Sequence, residues 1–338
     1  MHKIVRSKAP LRLGFGGGGT DVSPFSDTHG GYVLNATINK YSYCTIEENI
    51  KDNKTYFEAT DIGETNECNE KGKSINDKCL LLTGVYNSLI KRNLIKYTPL
   101  KISTYSDVQG GSGLGSSSTM VVAILQSFIE YFNIPLGEYD IAELAWEIER
   151  KELLLQGGKQ DQFCATFGGW NFMEFNKDNT IVNPLRIKSN FLNELSASLL
   201  ICFVGKSRNS GDVIAEQIKS QGKSESSLMN LKQSALDMKE AVLKCDIKSF
   251  GIILNKSWEA KKKTSQNISN EYIDKIYNTA IKHGAFSSKL SGAGASGFMM
   301  FLVAPEKKVN VKRVLKDEFG LKAEDIQFSK EGVVSWQV

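Results

Sequence analysis

The stretch "SDVQGGSGLGSSSTMVVAIL", residues 106–125, decides the fold class of this chain. The run "LKISTYSD" (residues 100–107), which leads into it, predicts a strand, and the apolar run after the serines predicts a helix. Glycines in such a connection permit positive φ angles and let backbone N–H groups approach an anion closely. The helix start adds unpaired N–H groups and the positive end of a dipole. The stretch therefore predicts a phosphate-binding loop between a strand and a helix.

The candidate phosphate-binding residues of this loop form one uninterrupted run. They are Gly110, Gly111, Ser112, Gly113, Leu114, Gly115, Ser116, Ser117 and Ser118. The serine hydroxyls could cap the helix or reach a Mg²⁺ ion on a bound phosphate. A flexible glycine–serine turn with a serine cap is the alternative interpretation. The loop is not a Walker A motif, because no Gly-Lys-Ser/Thr closes it.

The bulk composition is that of an ordinary globular protein. The chain has 338 residues, of which 41% are hydrophobic and 24% charged, enough for one large or two medium domains. Its formal net charge of +4 is spread along the chain and does not indicate a nucleic-acid partner. The densest cationic run, Lys261 to Lys263, falls in a helical pattern and predicts a solvated helix face.

Cysteine usage and hydropathy favour the cytoplasm. The six cysteines include no C-x-x-C pair, and several lie in apolar runs such as "LLICFV". This predicts reduced structural thiols rather than disulfides or a zinc site. The start "MHKIVRSKAP" has no apolar signal region, and no apolar run is long enough to span a bilayer, so we expect no membrane association.

The hydrophobic pattern predicts strands and helices in mixed order. Strands are expected in "KIVRSKAPLRLGF" and "GYVLNATINKYSYCTIEE", followed by a polar, exposed excursion over residues 51–77. Helices are expected over residues 79–92, 118–132 and 136–156. A strand–helix–strand pattern restarts at residue 198, with two or more helices between 211 and 283 and a last helix and strand at the end. We therefore place two domains at residues 1–190 and 191–338.

A glycine-rich stretch near the start, "LRLGFGGGGTDVSPF" (residues 11–25), spells G-x-G-x-x-G. A dinucleotide fingerprint should open a helix and carry an acidic residue about twenty positions later. Here the glycines continue into "TDVSPF", and the later position reads "NATINKY" without an acid. The stretch therefore does not predict a nicotinamide or flavin site.

Two further segments carry candidate chemistry. In "EIERKELLLQGGKQDQFCATFGG" (residues 147–169), Asp161 lies in a loop beside apolar sequence and is a candidate general base. Glu149, on the preceding helix, could supply an oxygen to Mg²⁺, although a solvated residue is the alternative. In "SSKLSGAGASGFMMFLV" (residues 287–303), a second glycine-rich turn connects two apolar strands. It is either a hairpin turn or a further close approach to phosphate.

Taken in order, these segments resemble the GHMP kinase family, named for galactokinase and the homoserine, mevalonate and phosphomevalonate kinases. The resemblance extends from Ala9 to Val303. "APLRLGFGGGGTDVSPFSDTHGGYVL" resembles the opening motif of the sugar-kinase branch, "GGSGLGSSS" its phosphate loop, "GGKQDQ" its G-x-x-D-Q motif, and "LSGAGASG" its C-terminal motif. The resemblance implies an α+β fold with a ribosomal S5 domain 2-like N-terminal domain, a ferredoxin-like C-terminal domain and an active site between them.

The resemblance also implies roles for particular residues. Asp161 matches the family's base, Arg12 would orient it and offset developing charge, and Lys8 is a weaker candidate for the same role. Mg²⁺ would be held by Glu149 and by Ser117 or its neighbour Ser118. Substrate contacts are implied for Arg12, Gly17, Gly18, Gly19, Thr20, Asp21, Asp161, Arg208, Gly292 and Gly294.

Two departures and one added motif bear on the substrate. Gly18 and Gly19 replace the Glu-His of the sugar kinases, which leaves room for a bulkier sugar. "GKSRNSGDVI" (residues 205–214) resembles the heptose-phosphate branch, and its Arg208 could hold a phosphate already on the substrate. A surface loop leading into a helix is the alternative for that segment.

The implied reaction is ATP- and Mg²⁺-dependent phosphorylation of the anomeric hydroxyl of a sugar phosphate, with a heptose 7-phosphate as the expected substrate. The expected partners are ATP and the sugar phosphate, with a homodimer as a possibility. A fucose- or N-acetylhexosamine-type kinase is the first alternative, and a non-catalytic sensor that binds ATP and sugar is the second. A decarboxylase on the same scaffold is disfavoured by the sugar-like "GGTD" motif.

Overall fold

The computed structural model describes residues 3–69, 79–205, 215–216, 221–265, 267–294 and 296–338, and these build two antiparallel-rich sheets with helices packed on them. Its strands are β1 (Ile4–Gly16), β2 (Gly31–Glu48), β3 (Lys54–Ala59), β4 (Glu64–Asn69), β5 (Leu100–Ser106), β6 (Trp170–Phe175), β7 (Thr180–Pro184), β8 (Leu199–Phe203), β9 (Ala285–Leu290), β10 (Phe298–Val303), β11 (Ala323–Asp325) and β12 (Val334–Gln337).

The helices lie mainly between these strands. They are α1 (Phe25–His29), α2 (Leu80–Lys91), α3 (Ser116–Phe132), α4 (Glu138–Trp146), a π-helix (Glu147–Glu152), α5 (Gln160–Phe167), α6 (Ser189–Ser198), α7 (Gln221–Leu243), α8 (Ile247–Lys262), α9 (Glu271–Lys282), a 3₁₀ turn (Pro305–Lys307) and α10 (Lys308–Phe319). None of the helices in the described ranges is long and apolar enough to cross a membrane.

The first sheet is organised around the long strands β1 and β2. Its main path is β12-β1-β2-β5-β3-β4, and β6 and β7 extend it beside the first half of β2. The two long strands, one predicted from alternation and the other from a β-branched and aromatic run, are confirmed. Helices α2 and α3 cover one face of this sheet through a core that includes Ile46, Ile102, Val121 and Phe128. The sheet thus holds β1, and with it Arg12, on a rigid support.

The expectation of an irregular excursion over residues 51–77 is wrong for part of that range. Strands β3 and β4 form a hairpin, and β3 also pairs in parallel with β5. Burial alternates along β3, and Phe57 lies in the core. The many charged residues stand on the outward face, which hid the alternation in the sequence. Residues 70–78 lie outside the described ranges.

The helix expected over residues 136–156 is also corrected. It begins as α4, widens into the π-helix and ends at Leu153, and Leu154 follows with φ of 57°. A π-helix contains an extra residue in its turn and often marks a functional site. Here the wide turn leaves Glu149 buried and directs Arg150 toward the loop of residues 153–158.

The second sheet has the order β11-β8-β10-β9, with all neighbours antiparallel. Trp258 of α8 and Ile276 of α9 pack on it with Phe301 and Leu315. A further apolar cluster joins the two sheets. Phe15 of β1 stacks on Trp170 of β6 and meets Phe250 of α8 edge-on, and Met300 of β10 belongs to the same cluster. This continuous core fixes the cleft in which the candidate site lies.

The end of the chain returns to the first sheet. Strand β12 pairs with β1, from Val5 opposite Gln337 to Lys8 opposite Val334, and Ile38 bridges to Phe328. A division into residues 1–190 and 191–338 remains a prediction, and this final strand lies on the first sheet rather than the second.

Candidate active site

A cavity of about 750 Å³ opens between the two sheets. Its walls come from the end of β1 and the following glycines, the loop of residues 110–118, the segment from Glu149 to Asp161, helix α8 and the turn between β9 and β10. The cleft therefore collects all four sequence segments that were predicted to carry chemistry. Of the predicted site residues, it is lined by Arg12, Gly18, Gly19, Asp21, Gly110, Gly111, Gly113, Gly115, Ser116, Ser117, Ser118, Glu149, Asp161 and Gly292.

Asp161 and Arg12 form a close ion pair in this cavity. Nε and Nη2 of Arg12 each lie 2.7 Å from Oδ1 of Asp161, and Nη1 donates to the carbonyl of Gly113 at 2.6 Å. Arg12 is buried, while Asp161 keeps 19% of its side chain exposed to the cavity. A guanidinium held on both sides in this way fixes the orientation of the carboxylate.

The phosphate loop lies against the carboxylate and against the second glycine-rich turn. A Cβ on Gly115 would stand 3.1 Å from Cγ of Asp161, so the loop passes directly beside that side chain. Gly113 has φ of 75°, and a Cβ there would meet the carbonyl oxygen of Ser291 at 2.4 Å. The N–H of Phe298 donates to the carbonyl of Ser112 at 2.8 Å. The turn between β9 and β10, predicted as either a hairpin turn or a phosphate contact, thus packs directly against the backbone of the phosphate loop.

Glu149 is buried beside the first turn of α3. The hydroxyl of Ser117 donates to its Oε1 at 2.7 Å, and the amide of Gln162 donates to its Oε2 at 2.6 Å. Arg150 lies 3.2 Å from the same carboxylate and donates to the hydroxyl of Ser118 at 3.1 Å. The alternative of a solvated Glu149 is wrong, because this residue is 1% exposed.

Asp21 is a second buried carboxylate that lines the cavity. Its oxygens accept hydrogen bonds from the backbone N–H groups of Gly19 and Gln160 and from the Gln160 amide, each at 3.1 Å. Burial raises the pKa of Asp21, and the negative charge of Asp161 raises it further. Gly158 packs so closely that a Cβ there would lie 1.9 Å from Oδ2 of Asp21. The segment before α5 is therefore shaped around this carboxylate.

Several predicted residues support the site without lining the cavity. The Thr20 hydroxyl donates to the carbonyls of Gly17 and Tyr32 and so closes the glycine-rich turn. Gly17, with φ of 79°, leaves room for the carbonyl of Tyr32. Gly294 packs on Ile268. The backbone of Leu114 accepts from the N–H of Arg12 at 3.1 Å, and the hydroxyl of Ser112 accepts from the N–H of Leu114 at 3.3 Å.

Lys8 is not brought to the site. Its Nζ lies 4.9 Å from the centre of the Tyr41 ring, and the residue does not line the cavity. An irregularity in the β1–β2 register between Pro10 and Arg12 separates the two cationic residues despite their spacing of four. Arg208 lies outside the described residues, so its role stays a prediction.

The cavity is also lined by two buried lysines that the sequence did not predict as site residues. Lys289 is 5% exposed and Lys261 is 4% exposed, so the solvated face predicted for residues 261–263 is wrong at its first position. The helical spacing explains the error, because Lys261 follows Trp258 by three residues and Leu254 by seven and therefore shares their inward face. The sequence around Lys289 could have indicated its burial, because this lysine lies between small and apolar residues of strand β9, just before a glycine turn.

Comparisons with known proteins agree with this geometry. The GHMP kinases N terminal domain matches residues 81–169, and the GHMP kinases C terminal domain matches residues 238–318. D-glycero-alpha-D-manno-heptose 7-phosphate kinase of Campylobacter jejuni is 45% identical over 99% of this chain and 100% of its own length. The chain belongs to the GHMP kinase family.

Solved structures show the same architecture. A D-glycero-D-manno-heptose 1-phosphate kinase from Bacteroides thetaiotaomicron has 41% identity and a TM-score of 0.84, with 99% of each chain covered. A putative sugar kinase from Campylobacter jejuni has 41% identity and a TM-score of 0.81, covering 100% of this chain and 99% of its own. The predicted family, the two-part α+β fold and the assignment as a phosphotransferase are thereby confirmed.

Proposed function

We propose that this chain transfers the γ-phosphate of ATP to the anomeric hydroxyl of a heptose 7-phosphate. The observation that carries the proposal is the Arg12–Asp161 pair, which lies beside Gly115 of the phosphate loop and faces the cavity. A carboxylate next to a loop of backbone N–H donors suits the deprotonation of a hydroxyl that attacks a bound phosphate. The full-length similarity to the heptose 7-phosphate kinase supports the choice of sugar.

The ATP phosphates would lie over the loop, with the N-terminus of α3 supplying backbone donors. A second cavity of about 320 Å³ adjoins this position and shares Gly110, Ser116 and Ser117 with the main one. Its walls include Ile62, Leu82 and Met120, so it offers an apolar slot for the flat face of a base. We place the adenine there. Asp61 and Ile62, from the part of the chain between β3 and β4, would then border the base.

Mg²⁺ fits the oxygen atoms around Glu149. The Ser117 hydroxyl and the Glu149 carboxylate, 2.7 Å apart, are the hard oxygen donors that this ion prefers in combination with substrate phosphates. Bound there, the ion would neutralise charge on the transferred phosphate. Gln162 and Arg150 hold the carboxylate from its other sides and would keep it oriented.

The sugar would lie between Asp161 and Asp21. Asp21, held by three donors, would accept hydrogen bonds from sugar hydroxyls. Gly18 and Gly19 line the cavity without side chains and leave room for the longer carbon chain of a heptose. Arg208 is kept as a candidate contact to the substrate phosphate.

In the proposed reaction, Asp161 accepts the proton of the anomeric hydroxyl as its oxygen bonds to the γ-phosphorus and the bond to ADP breaks. Arg12 holds the carboxylate in place and offsets the negative charge that develops nearby. The products are ADP and a sugar carrying phosphates at C1 and C7. We further expect the enzyme to act in the cytoplasm, and a homodimer is a possibility that sedimentation can check.

An ADP-release assay across hexoses, heptoses and their terminal phosphates tests this function. The highest kcat/KM is expected for the heptose 7-phosphate, and phosphorus NMR of the product should show a new anomeric phosphate. The names of the two heptose kinases mention different phosphate positions, and the NMR spectrum separates these possibilities for this chain. Preference for fucose or an N-acetylhexosamine would instead support the first alternative. Sugar and ATP binding without ADP release would support a sensor.

A further inference from the structure

Lys289 is a buried cation whose hydrogen-bonding capacity is only partly used. Its Nζ donates to the carbonyls of Gly14 and Phe15, both at 3.1 Å. An ammonium group has three hydrogens, so one remains. Among the described residues, no carboxylate lies within 4.0 Å of this nitrogen in an ion pair. The residue lines the catalytic cavity, toward which its unused hydrogen is available.

The charges that line the cavity do not balance. Arg12 is paired with Asp161, and Arg150 is paired with Glu149. Burial lowers the pKa of Lys261, and the negative charge of Asp21 acts on this lysine against the effect of burial. Lys261 also donates to the carbonyl of Gly18 at 3.2 Å. Of the positively charged residues that line the cavity, Lys289 therefore has no carboxylate paired with it in the part of the chain that the structure describes. A buried, uncompensated charge is costly to the free protein, and an incoming anion would offset that cost.

The two lysines share a part of the cavity wall. Their backbone contacts are to Gly14, Phe15 and Gly18, on the glycine-rich stretch that is proposed to hold the sugar. They come from different elements, α8 and β9, and converge on the same wall. Burial, together with the nearby positive charges of Lys261 and Arg12, lowers the pKa of Lys289 to about 7.

We propose that Lys289 and Lys261 form the binding site for the phosphate group that the sugar substrate already carries. This inference rests on the proposed function and names the residues that make the enzyme prefer a sugar phosphate over the free sugar. The unused hydrogen of Lys289 donates to a phosphate oxygen, and Lys261 adds a second positive charge on the same side. Bound phosphate supplies the missing counter-charge. Neither lysine takes part in the transfer of the γ-phosphate.

The test compares the wild type with Lys289→Met and Lys261→Met, and uses Lys263→Met, an exposed residue directly after α8, as the matched control. The measured quantity is kcat/KM for the heptose 7-phosphate divided by kcat/KM for the same heptose without phosphate. We expect this ratio to fall by about 10- to 100-fold in each cavity variant, the size of a charge-assisted hydrogen bond. The change should appear in the KM for the sugar phosphate, with the KM for ATP nearly unchanged. The control should keep the wild-type ratio.

An unchanged ratio in both cavity variants, or an equal rise in the KM for ATP, would overturn the inference. If a variant fails to fold, a measurement on the wild type tests the site instead. Inorganic phosphate should inhibit the wild type in competition with the sugar phosphate. Inhibition that competes only with ATP would contradict the proposal. Lys289→Arg, which keeps the charge, should retain more of the ratio than the methionine variant.

The two proposals can fail separately. If the wild type releases no ADP with any sugar phosphate, the proposed function fails. Calorimetric binding of the heptose 7-phosphate and of the free heptose then decides the lysine site on its own, since only the phosphorylated sugar should lose affinity in Lys289→Met. If the wild type is active and the variants keep its preference, the lysine site alone is refuted.

Discussion

Arg12 and Asp161 are 149 residues apart in the sequence, yet two guanidinium nitrogens of one lie 2.7 Å from the same carboxylate oxygen of the other. Arg12 is fixed by strand β1, and Asp161 is the second residue of helix α5. The contact therefore connects the central sheet to the helix that follows the Gly157-Gly158 break. The position of the proposed base depends on both elements, and this makes the site sensitive to small changes in either one.

Asp161→Asn should abolish most turnover while leaving the fold intact. Asparagine keeps an oxygen that can accept from Arg12, but it cannot take a proton from the sugar. We expect kcat to fall by about 10²- to 10⁴-fold, the usual contribution of a general base. Thermal unfolding and ATP binding, measured by calorimetry, should stay close to wild type. Asp178→Asn, in the exposed turn after β6, is the matched control, and a wild-type rate in Asp161→Asn would refute the assignment.

Glu149→Gln should weaken the Mg²⁺ dependence of the reaction specifically. The substitution preserves the shape of the side chain but removes the charge that Ser117 and Gln162 now surround. We expect the Mg²⁺ concentration for half-maximal activity to rise by about tenfold or more. Titration of ADP release with Mg²⁺ at saturating sugar measures this. Glu138→Gln, exposed at the start of α4, should leave the curve unchanged, and an unchanged curve for Glu149→Gln would remove that residue from the ion's site.

Gly113→Ala should destabilise the protein, whereas Gly110→Ala should not. At Gly113, φ is 75° and a Cβ would stand 2.4 Å from the carbonyl of Ser291, while a Cβ at Gly110 meets no atom within 4 Å. A left-handed conformation alone costs an alanine roughly 1–2 kcal/mol, which lowers the melting temperature of a chain of 338 residues by about 1–3 °C, and the clash with Ser291 lowers it further. Differential scanning fluorimetry of the two variants checks this. Equal melting temperatures would contradict the backbone contact.

The two buried lysines should contribute more stability to the ligand-free protein as the pH rises above neutrality. Burial lowers the pKa of Lys289 to about 7 and that of Lys261 to about 8, whereas an unfolded lysine titrates near ~10.4. Between these values the unfolded chain binds more protons than the folded one, so the free energy of unfolding increases with pH. Urea unfolding at pH 7 and pH 9 measures the slope. Lys289→Met should reduce the increase in the free energy of unfolding between pH 7 and pH 9. An unchanged increase would mean that the folded state does not lower the pKa of this lysine.

Much of the site could be predicted because its chemistry lies in short, local motifs. Glycines and serines between a strand and a helix favour a phosphate loop over a plain capped turn, and Asp161 and Glu149 became candidates through the motif around them. The long strands β1 and β2 were also evident, since alternation in the first and a β-branched, aromatic run in the second both favour strands.

The residues that were missed depend on contacts distant in sequence. Lys261 appears solvated in a run of three lysines, and only the packing of Trp258 against the second sheet shows that its face points inward. Lys8 appears equivalent to Arg12 until the register irregularity of β1 separates them. The β3–β4 hairpin was hidden because its charged outer residues outweigh a few buried positions such as Phe57.

The pairing of β12 with β1 has a consequence for biosynthesis. Strand β1 is synthesised before the other strands of the described fold, whereas β12, its partner at the sheet edge, is made only after the whole second sheet. Until then a nascent chain exposes an open strand edge, which is a template for wrong pairing between molecules. The outer edge of the strand that carries Arg12 thus stays open until the second sheet has been made, and synonymous variants that slow translation between β11 and β12 should aggregate more than variants that slow it between β1 and β2.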